Sequence, residues 1–279
     1  MKKITLILLA FINLSCSEII SKVDPVALSL KNNLMAFYTF SGNADDVSGN
    51  SNDGKLINIS LVKDRFGKVN SAVNFSGING CKISTNNFVV TGNKSRTISL
   101  WYRYASNFYN HTSILNYGGD PNLKQQDFGI FISTLGGSGM PYIGAMISNP
   151  NGSYVGNYFS RIKDGQWHHY AFTYDNSTGK TLDKVKIYID GALVQNDVMY
   201  SNANAWSFGN SNIIMTGPQL DEINTDSKMP LVFGQYSSND GKTPGDFRSF
   251  TGDLDDVGFW GRSLNQMEIS YLFNNEYKP

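Results

Sequence analysis

The stretch from Asp164 to Gly191 limits the possible folds more than any other. It reads Asp-Gly-Gln-Trp-His-His-Tyr-Ala-Phe-Thr-Tyr-Asp, then a polar turn, then Lys-Val-Lys-Ile-Tyr-Ile-Asp-Gly. Both halves carry β-branched and aromatic residues at strand density, and Asn176-Ser177-Thr178-Gly179-Lys180 joins them. Gly179 tolerates positive φ and Asn176 can bond its own backbone, so the pair reads as a hairpin. In the first strand Trp167, His169, Ala171 and Thr173 share one face, and His168, Tyr170, Phe172 and Tyr174 the other. Both faces are largely apolar, which calls for a central strand covered on two sides. In the second strand Val185, Ile187 and Ile189 face one way, against Lys184, Lys186, Tyr188 and Asp190, the half-buried pattern.

A chain of 279 residues can bury a large core as one all-β domain. Lys+Arg equals Asp+Glu at 23 each, so no net field favours nucleic acid or an anionic membrane. Asn reaches 31 and Gly 27, suited to many turns and short strands. Long helices are not expected, because good helix formers are scarce away from the ends.

The first sixteen residues read as a targeting segment: Lys2 and Lys3, an apolar run from Ile4 to Ile12, then Leu14-Ser15-Cys16. That run is too short for a permanent membrane span. The Leu-Ser-Cys ending resembles a bacterial lipobox, with Leu14 one place closer to the cysteine than usual and Asn13 in an apolar slot. The resemblance implies acylation at Cys16 and an envelope lipoprotein at the outer membrane or cell surface; plain secretion is the alternative. The membrane would then be met only through that lipid. Residues 17–32 would form a tether and 33–279 one domain. With Cys16 lipidated, Cys81 has no disulfide partner and reads as a small buried strand residue.

Strands are expected at Leu34–Phe40, Lys55–Val62, Ser71–Gly77, Cys81–Ser84, Thr97–Tyr104, Ser113–Tyr117, Phe128–Ser133, Tyr142–Ile147, Leu231–Gly234 and Phe250–Trp260. Val198–Lys228 is the least patterned segment and reads as a functional loop or a short hairpin. Asn265 with Glu268 forms a capping-box pattern ahead of Ile269, Leu272 and Phe273, predicting one short helix near the end.

Five segments occur in a telling order: Phe37 to Asn50, Arg65-Phe66-Gly67, Trp167-His168-His169-Tyr170, Val185 to Gly191, and Gly252-Asp253-Leu254-Asp255-Asp256-Val257. Together they resemble the laminin G-like (LamG/LamGL) jellyroll domain of the concanavalin A-like lectin/glucanase superfamily, and Arg262 to Ile269 resembles its closing helix. The resemblance spans about Asn33 to Tyr277. It implies an all-β fold, a two-sheet antiparallel jellyroll sandwich with a short C-terminal helix, which the alternations call for independently. It does not fix function, since the fold hosts lectins, adhesion modules, hydrolases and lyases.

Asp46, Ser48, Asn50, Asn52 and Asp53 place hard oxygen donors within eight residues. The resemblance implies a structural Ca²⁺ held between this loop and the acidic last strand, giving Asp46, Asn50, Asp53, Asp255 and Asp256 as candidate ligands. Strand alternation sends Asp255 and Asp256 to opposite faces, so only one of them is expected to ligate easily. His168 and His169 likewise point apart and read as packing residues, not zinc ligands. No Glu-x-Asp-x-x-Glu pattern of the fold's glucanases is present, and Glu18, Glu222, Glu268 and Glu276 are scattered. No catalytic residue is assigned. Sugar binding needs aromatic platforms beside amide and carboxylate groups. Trp206, Tyr109, His111, Tyr142, Tyr154 and Tyr158, interspersed with Asn, are the candidate ligand-binding residues. The expectation is a non-catalytic carbohydrate-binding module with a poly- or oligosaccharide ligand. Alternatives are a protein-binding adhesion subunit or an Asp-based hydrolase or lyase.

Overall fold

Alternating apolar residues become two sheets packed face to face. The structure is a computed structural model. It describes residues 24–77, 82–85, 90–104, 111–120, 123–134, 141–147, 153–158, 162, 164–178, 184–194, 198–202, 205–208, 225, 230–235 and 247–279. In chain order the strands are β1 (Leu34–Tyr38), β2 (Gly54–Ile57), β3 (Ser60–Val62), β4 (Ala72–Ser76), β5 (Lys82–Thr85), β6 (Arg96–Arg103), β7 (His111–Asp120), β8 (Leu123–Thr134) and β9 (Pro141–Ile147). They continue as β10 (Ser153–Tyr158), β11 (Trp167–Tyr174), β12 (Val185–Ile189), β13 (Ala192–Leu193), β14 (Val198–Asn202), β15 (Ala205–Phe208), β16 (Val232–Phe233), β17 (Phe247–Ser249) and β18 (Thr251–Trp260). Helices α1 (Pro25–Ser29) and α2 (Gln266–Asn274) flank them.

The first sheet runs β13-β12-β11-β6-β18-β4-β3, with β1 also on β18. The second runs β15-β14-β10-β9-β8-β7-β16-β5-β2, with β17 parallel to β7. The expected hairpin is β11–β12, antiparallel with Tyr170 opposite Ile189, and β11 lies inside its sheet between β12 and β6. The segment expected as one strand from Lys55 to Val62 is two. Asn58 takes φ 53°, in the left-handed region Asn tolerates, and the chain passes from β2 in the second sheet to β3 in the first.

Between the sheets Tyr38, Phe75, Ile98, Leu100, Tyr102, Tyr170 and Phe172 meet Ile83, Tyr117, Phe128, Ile130, Ile143 and Phe233, all buried. At about 25 cal/mol per Å² of apolar surface, this layer is the main source of stability. A second apolar cluster covers the outer face of the first sheet. Phe37, Ala171, Tyr188 and Trp260 pack there under Leu30, Leu264, Ile269, Leu272 and Tyr277. Asn265 caps α2 by accepting from the backbone N–H of Met267 and Glu268, and Glu268 accepts from the Asn265 N–H, completing the predicted capping box. Glu268 also holds Arg262 at 2.7 Å and the Ser29 hydroxyl at 2.8 Å, while Trp260 Nε1 donates to Leu30 O. From Asp24 onward the segment expected as a tether is therefore fastened to the domain.

Candidate functional site

The acidic first loop is held by its own backbone. Asp46 Oδ1 accepts from Phe37 N and Ser48 N at 2.9 Å each, and its Oδ2 accepts from Asn52 N at 3.0 Å. Asp53 Oδ1 accepts from Asp46 N, and the Asn50 amide donates to Leu34 O and Met35 O. The loop thus folds against β1, which pairs with β18 through Phe37 opposite Gly258. Loop and last strand are neighbours, as the resemblance implies.

Their carboxylates do not meet around one centre. The β6–β18 register slips between Asp255 and Gly258, and Asp256 takes φ 41°. This bulge departs from the simple alternation that would put Asp255 and Asp256 on opposite faces; both carboxylates reach one guanidinium. Arg65 Nη1 lies 2.7 Å from Asp255 Oδ2 and Nη2 lies 2.7 Å from Asp256 Oδ2. The guanidinium is stacked between the rings of Phe66 at 4.4 Å and Trp101 at 4.7 Å, and its side chain is 5% exposed. Burial first, then the charge of Asp256, pushes Asp255 up to about 8 against the opposing pull of Arg65. Burial raises Asp256 as well, again against Arg65.

A calcium ion needs six to eight oxygens with free lone pairs. Asp46 already takes three N–H groups, and Asp255 and Asp256 already hold a cation. Among the described residues no group of three or more His, Cys, Asp or Glu is arranged to hold a metal. As they stand, Asp46, Asn50, Asp53, Asp255 and Asp256 do not fit a shared calcium shell. EDTA is expected to leave the melting temperature within about 1 °C, because a site without affinity adds no linkage stability. A fall of several degrees, reversed by calcium, would restore the ion.

The Arg65 trio floors a cavity of about 250 Å³. Its walls come from the turn after β3 (Asp64, Phe66, Lys68), from Thr39, Ser41 and Val47, and from Glu276 to Pro279. Asp64 Oδ1 shapes the turn by accepting from Phe66 N and Lys68 N. This leaves the Phe66 ring 60% exposed at the rim. In the sequence Arg65-Phe66-Gly67 carries part of the family resemblance, and nothing there gives Arg65 a partner. The available signal is the Asp255-Asp256 doublet beside the apolar run Val257 to Trp260 of a buried strand, which calls for a cation from elsewhere.

His168 and His169 pack inside the fold. His168 is buried between Asp164 at 3.1 Å and Asp190 at 3.0 Å; burial opposes its charge, but the two aspartates outweigh it and raise its pKa. His169 Nε2 lies 2.8 Å from Ser99 Oγ, and burial pushes it down to about 3. That Ser–His contact lies beside Trp101 and Phe273, with Ser99 2% exposed and closed to a substrate.

The expected ligand residues lie elsewhere. Tyr109 and Cys16 fall outside the described residues, as do the side chains of His111, Tyr154, Tyr158 and Trp206. The backbone register places most of them together. Trp206 is opposite Ser201, Ser201 opposite Tyr154, and Tyr158 opposite Tyr142. Cross-strand partners share a face, as do residues two or four apart, so positions 142, 154, 158 and 206 belong to one face of the second sheet. Ile143 and Ala145 line the core, so this is the outer face. Tyr142, expected to meet a ligand, is instead a packing residue, 1% exposed and edge-on to Phe131 at 5.7 Å. His111 opens β7, opposite Phe247 of β17.

This sandwich and its strand order define a class of protein. The chain belongs to the Laminin_G_3 family of the concanavalin A-like lectin/glucanases superfamily, whose model matches residues 76–226. A search of curated proteins gives no match. Among solved structures, the chain is similar to domain 4 of AbnA, a GH43 extracellular arabinanase from Geobacillus stearothermophilus in complex with arabinotriose. The TM-score is 0.56 at 19% identity, covering 87% of this chain and 98% of that one. It is also similar to the botulinum neurotoxin serotype D ligand binding domain in complex with N-acetylneuraminic acid, at TM-score 0.59, 17% identity and 89% coverage. The binding domain of botulinum neurotoxin DC with rat synaptotagmin II gives TM-score 0.56, 15% identity and 88% coverage. The chain spans 52% of each toxin chain. These likenesses establish the fold.

Proposed function

We propose that this chain is a non-catalytic carbohydrate-binding module, carried outside the cytoplasm by its basic-apolar leader and held at the envelope by lipid on Cys16. One observation carries the reading: strand register gathers positions 154, 158 and 206 on one outer sheet face, beside the buried Tyr142. Aromatic rings interleaved with amides on a sheet are suited to the apolar faces and hydroxyls of pyranose or furanose units. The arabinotriose complex of AbnA domain 4, nearly all of which this chain spans, supports it, as does the N-acetylneuraminic acid complex of the neurotoxin domain, of which it spans about half. Catalysis is not part of the proposal: Asp255 and Asp256 share one guanidinium side by side and are not set apart on the two sides of a bond to be cleaved.

The test is retention of the full chain on a panel of plant, algal, bacterial and host polysaccharides. Binding is expected to at least one class, with Trp206→Ala and Tyr154→Ala each weakening it about tenfold. Silence across the panel would reject the reading. A protein ligand is the second reading, favoured by the synaptotagmin II complex. It gains if the same substitutions abolish capture of a protein while no glycan is retained.

A further inference from the structure

The outer face of the first sheet carries a mixed aromatic and polar row of its own. Trp167 of β11, Arg103 of β6, Asp253 of β18, Asn74 of β4 and Ser60 of β3 are successive cross-strand partners. Such partners share a face. Their chain neighbours Tyr102, Leu254, Val73 and Phe75 line the core, so the row points outward. We infer that it is a second sugar-contact strip, one that takes the vicinal hydroxyls of a neutral glycan chain. The inference rests on the carbohydrate-binding reading and adds a contact on the face opposite the aromatic positions.

The row is held in place by its own contacts. The Arg103 guanidinium lies over the Trp167 ring, 5.0 Å from its centroid, and Nε and Nη2 both reach Asp253 Oδ2 at 2.6 Å. Asn74 Nδ2 donates to Asp253 Oδ1 at 2.7 Å, which turns the amide oxygen away from the carboxylate. Among the described residues no acceptor meets Arg103 Nη1 and no donor meets Asn74 Oδ1. The arginine side chain is 37% exposed, so its open edge presents parallel N–H groups near a free acceptor. Two adjacent hydroxyls fit that pattern: their oxygens accept from the fork, and a hydroxyl hydrogen goes to Asn74 Oδ1. Asp253 already balances the charge of Arg103, which favours hydroxyls over a carboxylate. At the β11 end Trp167 Nε1 is enclosed without an acceptor among the described residues. Buried donors normally have partners, and a ligand oxygen at that end supplies one. Five strands at the usual spacing make the strip about 19 Å long, the reach of an oligosaccharide and not of one sugar ring.

The experiment is affinity electrophoresis of the full chain through gels containing arabinan, xylan, β-glucan or galactomannan, with polygalacturonate as the acidic control. In protein carrying Trp206→Ala and Tyr154→Ala, part of the retention by a neutral polymer is expected to survive. Adding Arg103→Lys, which keeps a charge beside Asp253 and loses the fork, is expected to weaken what survives about tenfold. Asn74→Ala, at a half-buried position, is expected to weaken it several-fold, and melting temperatures check that each variant is folded. Complete loss with the aromatic substitutions alone, or retention that neither row substitution changes, would overturn the inference and leave the aromatic face standing. Retention untouched by Trp206→Ala and Tyr154→Ala but removed by Arg103→Lys would uphold the strip and refute the aromatic face. Stronger retention by polygalacturonate, lost with Arg103→Lys, would overturn the assignment to neutral hydroxyls. No retention by any polymer would reject both sites.

Discussion

Arg65→Ala is expected to destabilise the protein by roughly 3–5 kcal/mol, the usual cost of removing one partner from a buried ion pair. For a chain of this size that is a fall in melting temperature of about 10 °C. The cause is the strand bulge, which places Asp255 and Asp256 on the same guanidinium, so losing it leaves that acidic pair buried without its cation. The loss of packing against Phe66 and Trp101 adds to the effect. Arg65→Lys is expected to recover only part of it, because a point charge cannot fork to two carboxylates. Adding Asp255→Asn and Asp256→Asn to Arg65→Ala should restore much of the stability, since neutral amides need no counter-charge. Thermal and urea unfolding of the four proteins measures this. A loss below about 1 kcal/mol for Arg65→Ala would mean the trio acts as an ordinary surface pair.

Asp255→Asn is expected to change how stability depends on pH. The folded protein holds the Asp255 proton until about pH 8, while an unfolded chain releases it near the ordinary carboxylate range, around pH 4. A folded-state pKa raised in this way gives stability that is complete below the unfolded value and is lost as pH rises toward the folded value. The window is therefore from about pH 4 to about pH 8. Asparagine keeps the shape of the protonated acid and cannot ionise. The variant should match the parent at the acid end of the window and become progressively more stable than it toward pH 8. His168 and His169 titrate in both proteins and cancel in the difference. Melting temperatures of the pair at unit pH steps test this; parallel curves would mean Asp255 ionises normally.

Much of the fold is legible because its determinants are local. The β11–β12 hairpin follows from alternation on both sides of a polar turn, and α2 begins where Asn265 and Glu268 cap it. The Lys55–Val62 segment is misread because one residue, Asn58, turns left-handed, and alternation does not register a change of sheet. The candidate site is harder to read. Its central contact joins residues 190 apart, Arg65 and Asp255, and no local pattern links them. The bulge at Asp256 also defeats the even-odd rule that assigns faces in a regular strand. For the aromatic residues named as ligand candidates, identities come from the sequence, and the backbone register adds which positions share a side of the second sheet.

The position of β18 bears on how such a chain can be made. It lies between β6 and β4 and also holds β1, so the middle of the first sheet is its most C-terminal strand. During synthesis β1, β4 and β6 emerge long before the segment that unites them. Until about residue 260 has left the ribosome, their edges stay open and their apolar faces uncovered, the conditions under which chains stick to one another. Closure of that sheet thus waits for β18, and the yield of native protein should depend on what shelters the nascent chain until then.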